Sequence, residues 1–145
     1  MIFFILAILF ILCSALFIKT FNTTERVIEN HIKYTDMHNI KKLSRTITDE
    51  IDNNYLKYID NIETMRLISM ELHTEDNYYN IYLNGGKGSL RKDLSRDDVK
   101  IYTVDYYIKY KDDNKSVEGS GEHSKIYTLI KEEDTNRWII DEIGY

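Results

Sequence analysis

The chain is 145 residues long, enough for one domain with a modest core. Lys and Arg number 19 against 24 Asp and Glu, a formal net charge of −5, and no charged side chain precedes Lys19. The imbalance therefore sits in residues 19–145, and an acidic domain is repelled by phosphate backbones, which argues against nucleic acid as a partner. Cys13 is the single cysteine, so no disulfide framework forms within one chain. Four histidines without CxxC or HExxH spacing predict no metal site and no cofactor.

Residues 2–18 are an uncharged, almost wholly apolar run. As a helix it spans about 25 Å, at the short end for a bilayer core. The expected organisation is a transmembrane anchor or signal segment over 1–19 and a soluble α+β domain over 20–145. Cleavage is the competing reading for the first segment: Cys13-Ser14-Ala15 is a passable small-residue site, but no basic residue precedes the apolar run. A lipoprotein signal fails because Leu12 stands where a small residue is required before Cys13. A buried core helix is disfavoured, because such a helix needs partners on every side. The expected location is the cell membrane, single-pass, with the domain extracytoplasmic. Lys19, soon followed by Glu25 and Glu29, is a weak guide to orientation.

Helical spacing follows. Asn22 with Glu25 makes a capping box, and Val27, Ile28, Ile32 and Tyr34 lie on one stripe, which predicts a helix over 23–37. Ile40, Leu43 and Ile47 predict a shorter one over 39–48. After a polar break, Tyr55, Ile59 and Ile62 form a helical turn or a lead into a sheet.

From residue 63 the period becomes two. Ile68, Met70 and Leu72 alternate with Ser69 and Glu71, predicting a strand over 63–73. Residues 78–83 read as a short strand or ordered loop, and 84–90, with three glycines, as a loop. The clearest strand is 101–111, with Tyr102, Val104, Tyr106, Ile108 and Tyr110 on one face and Thr103, Asp105, Lys109 and Lys111 on the other. A polar hairpin loop, a central strand over 126–130, a turn at 133–136 and a last strand from Trp138 complete the order. That strand is expected to pair with 124–132, with Trp138 and Ile140 on one face and Ile139, Asp141 and Ile143 on the other. Helices first and hairpin-linked strands after predict an α+β fold, the N-terminal helices covering one side of an antiparallel sheet.

The ending Trp138-Ile139-Ile140-Asp141-Glu142-Ile143-Gly144-Tyr145 resembles the W-x-I-D-[DE]-x-G-Y terminus of an uncharacterised bacterial family, domain-of-unknown-function family 4829. Tyr106-Tyr107-Ile108-Lys109-Tyr110-Lys111-Asp112-Asp113 resembles its penultimate hairpin, and the Gly86-Lys87-Gly88-Ser89 loop falls in the same order. The resemblance covers roughly residues 23–145. It implies a nuclear transport factor 2-like, cystatin-like fold, a curved antiparallel sheet wrapped as a cone round a long helix. It implies no catalytic residues, since the family has none assigned.

Three patterns invite chemistry and fail on spacing. Gly85-Gly86-Lys87-Gly88-Ser89 is not a Walker loop, because G-x-x-x-x-G-K-[ST] is absent. His31 and His38 are seven apart, whereas helical metal ligands stand three or four apart. Asp112-x-Asn114-x-Ser116 lacks the glycine and the bidentate glutamate of a calcium loop. The remaining set is Tyr102, Tyr106, Tyr110, Trp138 and Asp141, the candidate ligand-binding residues. A tyrosine-lined sheet face with no catalytic constellation points first to a module binding a protein or small ligand. The alternatives are a lyase- or isomerase-type enzyme using a pocket carboxylate beside a tyrosine, and a structural part of an envelope complex. Asp105 lies opposite the tyrosine face and so cannot share a cavity with it without a bulge.

Overall fold

The computed structural model describes residues 23–48 and 56–144. The 2–18 run, on which the anchor and signal readings rest, lies outside them. Among the described residues no helix is long and apolar enough to cross a membrane.

The fold is α+β. Helix α1 (Thr24–Asp36) and the single turn α2 (Ile40–Leu43) come first. A 3-10 segment (Leu56–Asn61) leads into β1 (Ile62–Leu72), followed by α3 (Asp76–Gly85), β2 (Val99–Tyr110), β3 (Gly121–Lys131) and β4 (Trp138–Gly144). The four strands form one antiparallel sheet in the order β1-β2-β3-β4.

Thr23 caps helix α1, one residue after the expected Asn22: its hydroxyl accepts the Arg26 N–H at 3.3 Å. Its buried side is Val27, Ile28, His31, Ile32 and Thr35, the stripe that its 3.6-residue period requires. This stripe packs on the even-numbered face of β2, where Tyr102, Val104, Tyr106 and Ile108 meet Met65 of β1 and Tyr127 and Leu129 of β3.

The second expected helix stops after one turn. Asn39 caps it through Lys42 N–H, and the chain then extends along the free edge of β4. Thr48 N–H donates to Ile140 O at 2.9 Å and Ile140 N–H to Thr46 O at 2.8 Å. The β-branched run Thr46-Ile47-Thr48 disfavours helix and supplies partners that an edge strand lacks.

Residues 78–83 are helical, not a strand or loop. Tyr79 and Tyr82 stand one turn apart and are buried against Val99, Ile101, Ile130 and Ile139, the second core. The aromatic residues suggest strand by intrinsic preference, but a sheet face left bare by α1 selects the helix. The sheet is therefore covered on both faces, where the sequence predicts cover on one.

Strand β4 pairs with β3 as expected, but with an extra residue. Thr128 faces Glu142 and Leu129 faces Ile140, so Asp141 has no partner across the ladder. The bulge reverses the alternation beyond it, and Ile143 joins Ile140 on the α1 side instead of Ile139.

His31 is fully buried at the centre of the α1 core. Its Nδ1 lies 3.2 Å from the Thr46 hydroxyl and its ring stands edge-on to Tyr127. Burial lowers its pKa to about 3, so the imidazole is neutral in the fold. Unfolded, it takes a proton below its ordinary 6.5. Its contribution to stability is thus present above pH 6.5 and lost as pH falls toward 3. Between pH 6.5 and the carboxylate range, urea denaturation should show stability falling by up to about 1.4 kcal/mol per pH unit. His31→Gln should flatten that slope.

Candidate functional site

Asp141 occupies the β4 bulge with no exposed surface. A buried carboxylate requires partners, and it has three. The Tyr82 hydroxyl, delivered by α3, donates to Oδ2 at 2.6 Å. Arg91 engages both oxygens, its Nε donating to Oδ2 at 3.2 Å and its other arm to Oδ1. Lys87 Nζ donates to the Asp141 carbonyl at 2.7 Å and lies 3.4 Å from Oδ1. Burial and the bond to Asp141 push the Tyr82 hydroxyl well above its ordinary pKa, so it stays a donor.

The glycine-rich loop supplies part of this cluster. Its 3-10 turn, Lys87–Leu90, lies against the Tyr82 ring, and a Cβ on Gly88 would stand 2.6 Å from Tyr82 Cε1. A Cβ on Gly86 would also be tight, 3.1 Å from the Tyr82 backbone. These approaches carry Lys87 and Arg91 onto Asp141. Both carboxylate oxygens are thus engaged by side chains of the protein itself.

Beside it, on the α1 face, opens a cleft of about 500 Å³. Its apolar wall is Met65, Tyr106, Ile108, Tyr110, Tyr127 and Ile143; Tyr58 and Val117 stand at the rim, and Lys87 and Asp141 border it. Lys125 and Glu118, an ion pair, line another side. A wider groove of about 1080 Å³ runs between the β3–β4 turn and residues 90–98, lined largely by charged side chains of both signs, Arg45, Asp93, Glu133 and Arg137 among them. Its lining is more polar than apolar, whereas the smaller cleft's is predominantly apolar, so the smaller cleft is the better candidate for an apolar ligand.

Of the five residues expected to bind ligand, Tyr106, Tyr110 and Asp141 border this cleft. Tyr102 does not. It is 2% exposed, and its hydroxyl ties the start of α1 to the sheet, 2.7 Å from Thr24 Oγ1 and donating to Glu25 at 2.8 Å. Burial raises its pKa to about 12. Trp138 packs against the α1 core away from the cleft, opposite Lys131. Asp105 lies on the other sheet face as alternation requires, where hydrogen bonds from Ser69, at 2.7 Å, and Ser124 hold its carboxyl below the usual range. The sequence gives Tyr82 and Arg91 no role and places Lys87 only in the glycine-rich loop. The Lys87 and Gly88 spacing was the available signal, but it points to phosphate by habit and to Asp141 only with the fold in hand.

The histidine pair separates in space: His31 turns into the core, while His38 Nε2 lies 2.8 Å from Ile62 O. Among the described residues, no three His, Cys, Asp or Glu side chains are grouped to hold a metal ion.

The packing predicts a contrast between neighbouring glycines. Gly88→Ala should cost about 1–3 kcal/mol in urea denaturation, because the methyl group displaces Tyr82. Gly85→Ala meets nothing within 4 Å and should cost nothing.

No curated protein matches the chain. The family described as a domain of unknown function (DUF4829) matches residues 25–144, from the first turn of α1 to the end of β4. With that span covering most of its length, the chain belongs to the DUF4829 family.

Proposed function

We propose that this domain is a binding module that takes an apolar or aromatic small ligand, or the side chain of a partner protein, in the cleft beneath β2. The observation that carries the reading is the cleft itself. Its volume of about 500 Å³ falls within the range of small-molecule sites, and Tyr106, Ile108, Tyr110 and Tyr127 give it the aromatic lining such sites use. Lys87 and Lys125 border it and are anchored by Asp141 and Glu118, so they supply polarity at fixed positions.

We read the domain as binding without catalysis. Asp141 lies within reach of a tyrosine hydroxyl beside the cleft, the arrangement an isomerase-type reading asks for. Its engagement by Arg91 and Lys87 favours a supporting role. A long helix against one face of a four-stranded antiparallel sheet, with bulges that bend β1 and β4, supports the nuclear transport factor 2-like reading of the fold. The apolar 2–18 run supports a single-pass membrane tether, with the domain extracytoplasmic in a bacterial envelope, alone or as part of a larger complex.

Protein-observed NMR with a library of aromatic fragments tests the cleft. The expected result is saturable shifts concentrated at Tyr106, Tyr110, Tyr127 and Ile143, weakened by at least about tenfold in affinity when Tyr106→Ala removes a wall. Fragments that shift nothing, or shift residues 90–98 and leave the cleft silent, would contradict the reading.

A further inference from the structure

Strand β1 is the outer strand of the sheet, and among the described residues no backbone segment pairs with its outer edge. The start of that edge is closed by α1: Asp36 accepts the Met65 N–H and the Thr64 hydroxyl, both at 2.8 Å. Beyond it the ladder to β2 shifts register between Leu67 and Ser69. Met65 N–H points outward to Asp36, and His73 N–H points inward to Ile101 O. Counting from both ends, the main-chain groups of Leu67, Met70 and Leu72 face outward. Ile68 is 49% exposed and Leu72 41%.

We propose that this edge pairs with the same edge of a second copy, antiparallel across a two-fold axis between Ile68 and Ser69, to make one continuous eight-stranded sheet. Three observations support self-pairing in this register. First, the axis sets Arg66 opposite Glu71 of the other copy, twice, and both side chains are exposed on the face away from α1. Second, it sets Leu67 opposite Met70, so partly buried apolar side chains on the α1 face meet their like. Third, the bulge keeps step. Leu67 and Met70 are separated by two residues where a regular strand has one, and a two-fold mate carries the same extra residue in the same place. A regular peptide strand would lose register there, whereas a second copy does not. Such an interface is isologous, as closed dimers require.

Charge inversion tests the register. The full chain, held in a non-ionic detergent, is examined by sedimentation equilibrium at micromolar concentration. Wild type should be dimeric. Arg66→Glu places glutamates face to face and Glu71→Arg places arginines face to face, so each should weaken the dimer about tenfold. The double inversion R66E/E71R restores opposite charges and should restore the dimer. Ile68→Lys, a charge at the axis, should weaken it as well. Thermal unfolding of each variant checks that the fold is intact, and an unchanged transition is expected. A monomeric wild type, a dimer indifferent to both single inversions, or a double inversion that rescues nothing would each overturn the proposal.

Discussion

The ion cluster on Asp141 is the constraint that the domain's less regular half depends on. A carboxylate without exposed surface is tolerated only with charge and hydrogen bonds around it. Here those partners come from three separate places: Tyr82 in the last turns of α3, Lys87 in the 3-10 turn that follows, and Arg91 just beyond it. Satisfying one side chain on β4 thus fixes the path of about ten residues with little core of their own. The glycines of that path are the accommodation. Gly86 and Gly88 let the chain lie on Tyr82, and any larger residue at position 88 would push Lys87 away from its target.

The bulge that presents Asp141 has a second consequence. It returns Ile143 to the α1 face, where it forms part of the cleft wall beside Tyr127. One inserted residue therefore places the buried ion cluster and shapes the neighbouring apolar surface. The cleft and the cluster share Lys87 and Asp141 at their boundary, so the cluster holds a wall that a ligand would press against.

Much of this was legible in the sequence, where the signal was periodic. The α1 stripe, the alternation of β2 and the pairing of β3 with β4 follow from hydrophobic spacing; α1 and β2 lie within two residues of expectation, while β3 starts at Gly121, ahead of the expected 126–130, and its pairing with β4 carries the bulge. The failures share a cause. Tyr78, Tyr79 and Tyr82 have strand preference by residue type, and only the bare second face of the sheet makes them helical. Ile47 fits a helical stripe with Ile40 and Leu43, yet it serves better as a ladder partner for Ile140. Asp141 is a candidate in the sequence through Trp138 nearby and the face it shares with Ile139 and Ile143, but its partners lie 50 to 59 residues away and no local pattern announces them. Alternation also misplaced Ile143, because a bulge is invisible to a count of two.

The ending from Trp138 to Gly144 links these observations: it carries the family resemblance, the bulge, the buried aspartate and one wall of the cleft. If Asp141 and Arg91 act as a unit, their effects on stability must be coupled. A double-mutant cycle with Arg91→Met and Asp141→Leu, followed by urea denaturation, measures that coupling. Each single change is expected to cost about 1–3 kcal/mol, since Arg91→Met leaves the buried carboxylate with only Lys87 and Tyr82 and Asp141→Leu leaves two cations without their acceptor, and the pair together should cost clearly less than the sum. Additive losses, or single losses below about 0.5 kcal/mol, would contradict the account.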